Sequence, residues 1–589
     1  MKNEDLRWNL DDLVRAKDFE KVFGQAIKEI LLLQKEFRKL SPSVSADIFR
    51  KAVGRLEKVK DFSSKIMDFS MLYFTTHLTE DRAFGFKSKA DEIDIMFTET
   101  YLELSRWLQG LPVSGMKTLD KKNQARLMKS IPKLHFMFEK LLEGKKHTLS
   151  IEEERMTTRK DTNLKSSILG LYQLIVNDYQ YEFKSGKKKP IILKTSAEVS
   201  PYVHSSDPSD REGAYKAIFG PYEKDLLKHF NIYQAISKDW DENARLRGYP
   251  SPISFRNFRN DIEDKTIETV MSVCTENRHL FQEYFRIKAK ALKMKKLRRY
   301  DIYAPVGGKE HRYTFKESKT KVLNIFKEFN AGFYDRARLI FDENHVDSHP
   351  RQGKRSGAFC ATTAPSLTPY VLLNFNGTPT SLMTMAHELG HGIHSLYSNK
   401  LSTLVQSEPL PLAETASTFS EMLIFERLLQ ELKNPEEKKT LLFEKLGSSY
   451  ATIIRQNYFV KFEMVAHEEI RKGITAKDLC ELYMLNLKEQ FGNSLDISGE
   501  FRFEWTYIPH IFRTPFYCYA YNFGELLAMS LYSIYRERGK GFIPKIEMIL
   551  SSGGSERPSK LLKEVGIDIN SKNFWNGSFS MIREWLKML

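Results

Sequence analysis

Three residues near the middle of the chain have the types and the spacing of a hydrolytic metal site. His387 and His391 lie four positions apart, with Glu388 between them in the stretch HELGH. On a helix, residues four apart lie one turn above each other on the same face. Two imidazoles at this spacing can bind one Zn²⁺, and the intervening glutamate then lies beside the open position of the metal. The alternative interpretation is an ordinary amphipathic helix that exposes its histidines.

The surrounding residues predict a helix that begins at Pro379 and ends near Asn399. Thr378 followed by Pro379 is a favourable helix start, because proline has no N–H to satisfy and a φ angle that suits the first turn. At 100° per residue, one apolar stripe forms, on the side opposite the two histidines. Its members are Leu382, Ala386, Leu389, Ile393 and Leu396.

A catalytic zinc site needs a third protein ligand, and the next predicted helix offers two carboxylates. Glu414 and Glu421 are seven positions apart in LAETASTFSEMLIFE and therefore share a face. Either could bind the metal while the other orients a ligand, or both could be surface carboxylates. A metzincin is excluded, because His394 and Tyr397 stand where that class has glycine and histidine. His394 is expected to have a structural or substrate-side role.

The stretch PYVLLNFNG, residues 369–377, predicts a short strand followed by an Asn-Gly turn. A strand just before the motif helix could offer an exposed edge to the backbone of a peptide. If it does, replacing Val371 with proline should raise KM.

Side chains that donate hydrogen bonds are concentrated between residues 504 and 526. They are His510, Tyr517, Tyr519 and Tyr521. Tyr517 and Tyr521 share a helical face, whereas Tyr519 points elsewhere. Such donors can stabilise a developing oxyanion, although an aromatic cluster can equally be core packing.

The rest of the chain predicts a mainly helical protein with a soft boundary near residue 200. Apolar residues recur with a helical period over residues 18–37, 46–78 and 82–108, and a further helical tract runs to about residue 143. Ser150 is a candidate N-cap. Between Tyr179 and Val199 the pattern instead predicts two short strands around a Ser-Gly-Lys turn.

Composition favours a globular protein without membrane spans or disulfides. The chain has 589 residues, of which 41% are hydrophobic, and its four cysteines are widely scattered. That scatter argues against a Cys-type zinc site and for a reducing compartment, so we expect a cytoplasmic protein. No apolar run approaches the length of a membrane span, and no secretory signal is visible.

The net charge of +15 allows a second class of function. Basic tracts at Lys187–Lys189 and Arg286–Arg299 could attract nucleic acid or an anionic membrane. No nucleic-acid-binding motif accompanies them, so a solvated helix face is favoured and no specific nucleic acid is expected.

Across most of its length the chain resembles the oligoendopeptidase F branch of the thimet oligopeptidase-like zinc metallopeptidases. The resemblance lies in several segments that follow the family order. These are WNLDDL (8–13), DREGAYKAIF (210–219), YDIYAP (300–305), KRSGAFC (354–360), PYVLLNFNG (369–377), AHELGHGIHS (386–395), AETASTFSEML (413–423) and the tract from IPH to FYCYAY (508–521).

The resemblance implies a two-lobed, largely helical, zincin-type fold with a deep substrate channel and a small β-sheet near the active site. Residues 1–200 would form an N-terminal helical lobe and residues 201–589 the catalytic domain. It implies one Zn²⁺ per chain on His387, His391 and Glu414, with Glu388 as the catalytic base. His510 and a tyrosine, with Tyr521 aligning best and Tyr517 next, match the groups that stabilise the transition state.

The hypothesis from the sequence is therefore a zinc endopeptidase that cleaves oligopeptides rather than folded proteins. Three alternatives remain at this point. They are a related zinc carboxypeptidase, a non-catalytic basic protein that binds peptides or nucleic acid on the same scaffold, and a structural zinc protein. The oligomeric state stays open.

Overall fold

The structure is a computed structural model that describes residues 6–160, 166–308 and 311–589, and most of these residues are helical. The helices before residue 311 are α1 (Phe19–Phe37), α2 (Ala46–Thr76), α3 (Asp81–Leu108), α4 (Lys121–Lys129), α5 (His135–Gly144), α6 (Ile151–Lys160), α7 (Ser166–Asn177), α8 (Ser196–Val203), α9 (Pro208–Lys224), α10 (Leu226–Leu246), α11 (Pro252–Arg259) and α12 (Asp264–Ala291). Those after it are α13 (Phe315–Phe329), α14 (Ala331–Asp342), α15 (Pro379–Ser398), α16 (Leu410–Glu431), α17 (Pro435–Ser449), α18 (Arg455–Lys472), α19 (Ala476–Phe491), α20 (Pro509–Arg513), α21 (Tyr519–Arg538), α22 (Ile543–Ser551), α23 (Pro558–Glu564) and α24 (Lys572–Lys587).

In the described part of the chain the strands are short and form three small sheets. They are β1 (Tyr181–Phe183), β2 (Ile191–Leu193), β3 (Leu297–Arg298), β4 (Val346–Asp347), β5 (Phe359–Ala361), β6 (Tyr370–Leu372) and β7 (Leu495–Asp496). The prediction of a mainly helical protein with a small sheet is thus confirmed. Among the described residues, none of the helices combines the length and the apolarity needed to cross a bilayer.

Sequence periodicity placed the ends of α1, α2, α3 and α15 to within two residues. Ser150 caps α6 as predicted: its hydroxyl accepts from the backbone N–H of Glu153, and the Glu153 carboxylate accepts from the N–H of Ser150. The tract predicted to run to residue 143 is instead two helices, α4 and α5. Pro132 lies in a 3-10 turn between them, and a proline restricts the residue before it to extended backbone, which ends the first helix.

The chain forms two compact units, each assembled from three segments. The first unit contains Met1–Lys146, His311–Glu431 and Ile534–Ile567, and the second contains His147–Glu310, Leu432–Ser533 and Asp568–Leu589. Both units include residues from each side of position 200. The predicted division into 1–200 and 201–589 therefore differs from the division into compact units, and it stays a prediction about the catalytic domain.

The core of the first unit lies among α1, α2 and α3 and extends to the three-stranded sheet. Apolar side chains from all of these elements are buried in one continuous cluster. Its members include Phe19, Ile30, Phe49, Leu56, Phe69, Trp107, Tyr370 and Leu372. This core supports the sheet that lies beside the motif helix.

In that sheet β6 is the central strand. Val371 pairs with Val346 of β4 on one side and with Cys360 of β5 on the other, parallel and antiparallel respectively. The predicted strand is confirmed, but the expectation that it offers an exposed edge is wrong, because both of its edges are hydrogen-bonded and its three residues are buried. Replacing Val371 with proline would break the sheet rather than report on substrate pairing.

A buried lysine fastens this sheet to the segment that leads into β5. The ammonium group of Lys354 donates to the carbonyl oxygens of His349, at 2.8 Å, and Leu373, at 2.5 Å. It also lies 2.6 Å from the carboxylate of Asp347 in β4. Because a buried charge is tolerated only when it is paired and hydrogen-bonded, Lys354 joins β4 and the end of β6 to the segment that leads into β5.

In the second unit the predicted hairpin is present. Tyr181 pairs with Leu193 and Phe183 with Ile191 in antiparallel register. Gly186 in the turn has a φ of 55°, which glycine adopts without strain. The same unit contains α18, which packs on α10 and α19, and the segment from α20 to the start of α21.

Candidate active site

Helix α15 carries the motif and begins where the sequence predicts. The hydroxyl of Thr378 accepts from the N–H of Ser381 at 3.1 Å, and Pro379 occupies the first turn. The apolar stripe packs inward: Leu382, Leu389 and Ile393 are completely buried. Their burial fixes the rotation of the helix about its axis, which places the two histidines on the opposite face.

His387, His391 and Glu414 converge on one point in the first unit. One ligand atom from each of them lies within 4.8 Å of the others. The Nε2 atoms of His387 and His391 lie 3.3 and 3.5 Å from the same carboxylate oxygen of Glu414. Two zinc–ligand bonds of roughly 2.1 Å at the tetrahedral angle separate their ligand atoms by about 3.4 Å, so this donor set fits a tetrahedral Zn²⁺.

Glu421 occupies a different place from Glu414. Its carboxylate lies 3.5 Å from Nδ1 of His387, the nitrogen that faces away from the convergence point. A carboxylate on the second nitrogen of a ligating imidazole fixes the ring orientation and the tautomer. The arrangement thus separates the two glutamates that helical spacing left equivalent, with Glu414 as the ligand candidate, as the resemblance implies, and Glu421 as the orienting group.

The electrostatics of this cluster favour a cation. Burial acts to lower the pKa of His387, but hydrogen bonds to Glu414 and Glu421 outweigh it and raise the pKa to about 10. Burial acts to raise the pKa of Glu414, but its hydrogen bond to His387 and the charges of both histidines lower the pKa to about 2. The raised pKa of His387 and the lowered pKa of Glu414 have the same origin, the contact between the imidazole and the carboxylate, which favours a positive charge beside Glu414.

Glu388 is 6% exposed and lies beside Cys360 of β5. Burial raises the pKa of its carboxyl group to about 7, with the charge of His387 opposing the shift and that of Glu414 adding to it. A carboxyl group whose pKa lies near neutrality can both accept a proton and return it, which a general base and acid must do.

Two residues that sequence reasoning missed support Glu414: Gly390 allows the close approach of α15 and α16, and Ser417 contacts the carboxylate within α16. An added Cβ at Gly390 would lie 2.6 Å from the carbonyl oxygen of Ala416 and 2.6 Å from Cα of Ser417, so only glycine permits this approach. The hydroxyl of Ser417 donates to Glu414 at 2.8 Å. The spacing of three between Glu414 and Ser417 on one helix was the available signal for the second contact.

His394 lies one turn beyond His391 and is almost completely buried. Burial lowers the pKa of its imidazole. Its Nδ1 atom has no hydrogen-bond partner among the described residues. Of the two roles expected for this residue, its burial favours the structural one.

The remaining predicted residues lie together in the second unit. The hydroxyl of Tyr521 is 3.4 Å from Nε2 of His510, and the ring of Tyr517 lies 5.2 Å from that of Tyr521. Burial, together with the charges of Arg455 and Arg513, lowers the pKa of His510. As predicted, Tyr519 points elsewhere: its hydroxyl accepts from the side-chain amide of Asn260 at 2.7 Å.

Comparison with known proteins identifies the family of this chain. The model of Peptidase family M3 matches residues 202–581, which is well over half of the chain. The chain belongs to peptidase family M3. The resemblance noted from the sequence and the prediction of a metalloendopeptidase are therefore confirmed.

Two relatives with curated descriptions match this chain over nearly its whole length. An "Oligoendopeptidase F homolog" of Borreliella burgdorferi is 27% identical over 97% of this chain and 95% of its own. "Oligopeptidase PepF" of Bacillus subtilis is 26% identical over 98% of this chain and 86% of its own.

Solved structures show the same fold. A putative peptidase from Chlamydophila abortus superposes with a TM-score of 0.84 at 22% identity, covering 100% of this chain and 98% of that one. The oligoendopeptidase F of Enterococcus faecium gives a TM-score of 0.72 at 20% identity, covering 97% and 98% of the two chains.

Proposed function

We propose that this M3 peptidase is a zinc-dependent endopeptidase that hydrolyses peptide bonds within oligopeptides. The convergence of His387, His391 and Glu414 on one point, with Glu388 beside them, is the observation that carries the proposal. The printed names of the relatives, oligoendopeptidase and oligopeptidase, support oligopeptides as the substrate class.

His387, His391 and Glu414 would hold one Zn²⁺ per chain. When bound, the ion supplies Lewis acidity that makes water acidic enough to be deprotonated near neutral pH. The imidazoles bind as neutral ligands and the carboxylate as an anion, so the triad leaves one positive charge uncompensated. Glu421 holds His387 in the tautomer that presents Nε2.

Glu388 would act first as the general base and then as the general acid. Its carboxylate takes the proton of the attacking water and then transfers it to the leaving amine. The pKa of about 7, which burial produces, allows both transfers near neutral pH.

His510 and Tyr521 would donate hydrogen bonds to the oxyanion of the transition state. The family resemblance and the contact between the two side chains support this role. Tyr517 is the second candidate, because its ring packs against both of them. Each such donor typically contributes a few kcal/mol to transition-state stabilisation.

We also propose that residues 201–589 form the catalytic domain and residues 1–200 an N-terminal lobe. The family match from 202 to 581 supports this boundary, because it begins within two residues of it.

A cytoplasmic location is proposed on the basis of cysteine chemistry. Cys274, Cys360, Cys480 and Cys518 are all free thiols in the structure. Free, mostly buried thiols are typical of a reducing compartment.

The test is mass spectrometry of unstructured peptides of graded length after incubation with the zinc-loaded protein. Internal cuts, confined to the shorter peptides and abolished by a chelator, are the expected result. Single-residue trimming from the C-terminus would instead indicate a carboxypeptidase, and efficient cleavage of a folded protein would contradict the oligopeptide limit. If every peptide stays intact with zinc restored, the catalytic proposal fails, and salt-dependent binding of nucleic acid to the basic tracts becomes the function to test.

A further inference from the structure

The turn formed by Pro515 and Phe516, between His510 and Tyr521, contains a strained residue immediately before Tyr517. Phe516 has a φ of 57°. A residue with a side chain adopts this left-handed conformation rarely, and only where its surroundings hold it. The conformation matters because it sets the direction in which the chain enters Tyr517 and then α21.

A buried glutamate holds this residue from one side. Glu463 on α18 is completely buried, and one of its carboxylate oxygens accepts from the N–H of Phe516 at 2.8 Å. Its other oxygen has no hydrogen-bond partner among the described residues. The Phe516 amide is thus the group to which this carboxyl is directed.

An arginine holds the preceding residue from the other side. Nε of Arg256 in α11 donates to the carbonyl oxygen of Pro515 at 3.0 Å. The Arg256 guanidinium also stacks over Trp240, 4.7 Å from the ring, which limits its movement. The peptide bond between Pro515 and Phe516 is therefore held at both of its polar groups. Arg256 of α11 binds the carbonyl and Glu463 of α18 binds the N–H.

Packing fixes the side chain of Phe516 as well. Its ring is buried and lies 4.7 Å from the imidazole of His467, which is also on α18. Nδ1 of His467 is in turn 2.7 Å from the carboxylate of Asp241. Phe516 thus contacts α18 through both its backbone N–H and its side chain.

Burying an ionisable group for one backbone hydrogen bond is costly. Burial raises the pKa of Glu463 to about 8, with the Phe516 N–H and the charge of Arg256 opposing the shift. A buried carboxyl group with an unpaired oxygen contributes little net stability. Such departures from local packing rules are expected where function requires a particular geometry.

We propose that Glu463 and Arg256 are positioning residues that clamp Pro515 and Phe516 and thereby set the orientation of Tyr517 and Tyr521 for catalysis. The clamp acts on the donors and does not touch substrate. This role rests on the proposed function of those tyrosines.

Steady-state kinetics with the full-length, zinc-loaded protein and one cleavable peptide tests the clamp. Glu463→Ala removes the acceptor, and we expect it to lower kcat by about tenfold to a hundredfold with little change in KM, because a small misplacement of a catalytic group has effects of that order. Glu463→Gln keeps an acceptor oxygen and should restore most of kcat. If Glu463→Ala does not fold, Arg256→Met tests the clamp instead, because it removes the donor to the carbonyl of Pro515. Arg256→Lys keeps the positive charge and serves as the conservative variant.

Tyr458→Phe is the matched control on the same helix. It removes the 3.1 Å hydrogen bond from Tyr458 to Glu489 of α19, a contact that does not involve Pro515 or Phe516. It should lower the thermal midpoint without changing kcat. Hydrogen exchange of the peptide covering residues 510–521 gives a second measurement. The exchange rate should rise in Glu463→Ala and stay unchanged in Tyr458→Phe.

The outcomes separate the clamp from the proposed function. An active wild type together with a folded Glu463→Ala variant of unchanged kcat would overturn the clamp alone. A loss of kcat in Glu463→Ala that Tyr458→Phe reproduces at equal loss of stability would also overturn it. A zinc-loaded wild type without peptidase activity would overturn the proposed function and the clamp with it.

Discussion

The candidate metal-binding triad of the first unit and the proposed oxyanion donors of the second unit are held in different ways. His387, His391 and Glu414 lie on two regular helices of twenty and twenty-two residues, α15 and α16. His510 lies on the five-residue α20, Tyr517 in a turn, and Tyr521 in the first turn of α21. Helical periodicity alone aligns the histidines, whereas the contacts from α11 and α18 that we propose to orient the tyrosines are made to the backbone of Pro515 and Phe516.

This difference separates two tasks. A zinc site requires ligand atoms at fixed separations, which packed helices provide because they resist deformation. Hydrogen-bond donors need only be aimed correctly, and a clamped turn can provide that. Substitutions of the triad, or of the packing that supports it, should therefore change metal binding, and substitutions of the donors should change turnover without changing metal content.

The largest effect is expected for His391→Ala. Removing one of three ligands should reduce bound zinc far below one ion per chain and abolish peptide cleavage, because the remaining pair holds the ion weakly. Zinc content by atomic spectroscopy, measured beside the cleavage rate, checks this. His510→Ala is the control and should keep its zinc. Stoichiometric zinc in His391→Ala would contradict the assignment of the ligands.

Tyr521→Phe should have the next largest effect. Loss of one oxyanion donor lowers kcat by roughly a hundredfold to a thousandfold, and zinc content should not change. Tyr517→Phe, measured beside it, decides which of the two hydroxyls acts. Tyr519→Phe is the control, since that hydroxyl is bound to Asn260. A larger loss in Tyr519→Phe than in both others would remove the two tyrosines from the mechanism.

Gly390→Ala should weaken zinc binding by an intermediate amount. The added methyl group collides with backbone atoms of Ala416 and Ser417, so α16 must shift and carry Glu414 with it. We expect the zinc dissociation constant to rise by about tenfold to a hundredfold, the range found when the support of a ligand is lost. Gly54→Ala in α2, where nothing lies within 4 Å of the new methyl group, should bind zinc normally. Equal zinc affinity in both variants would show that close helix packing does not position Glu414.

Thr378→Ala should have the smallest effect. It removes the cap of α15 and should reduce the free energy of unfolding by about 1 kcal/mol, as N-cap substitutions typically do. Chemical denaturation measures this. Zinc affinity and kcat should stay close to wild type, because the buried stripe still fixes the rotation of the helix. A large loss of zinc in this variant would show that the cap controls the site.

The contrast between the two regions also explains what the sequence could predict. The start of α15, its buried stripe and the alignment of the histidines follow from residues within one turn of each other. Helical spacing alone leaves Glu414 and Glu421 equivalent, because it places both on one face. The family resemblance implied Glu414, and the packing of α15 on α16 is the physical feature that distinguishes the two carboxylates.

Long-range contacts account for the remaining differences. Phe516 is held by a residue 53 positions away, and Pro515 by one 259 positions away, so no local pattern shows how Tyr517 is oriented. The error about β6 has a similar origin. Its partner strands are two and three residues long and carry too little periodicity to reveal that they cover both edges.

The most direct test of the central claim is to measure zinc content and initial cleavage rate on the same samples of wild type and Glu388→Gln. The substitution preserves the size of the side chain and removes its basicity, while the triad stays intact. We predict equal zinc content and a rate lower by roughly a hundredfold to ten-thousandfold, the contribution of a general base. A near-wild-type rate in Glu388→Gln at full zinc occupancy would contradict the claim that Glu388 activates water at a metal held by His387, His391 and Glu414.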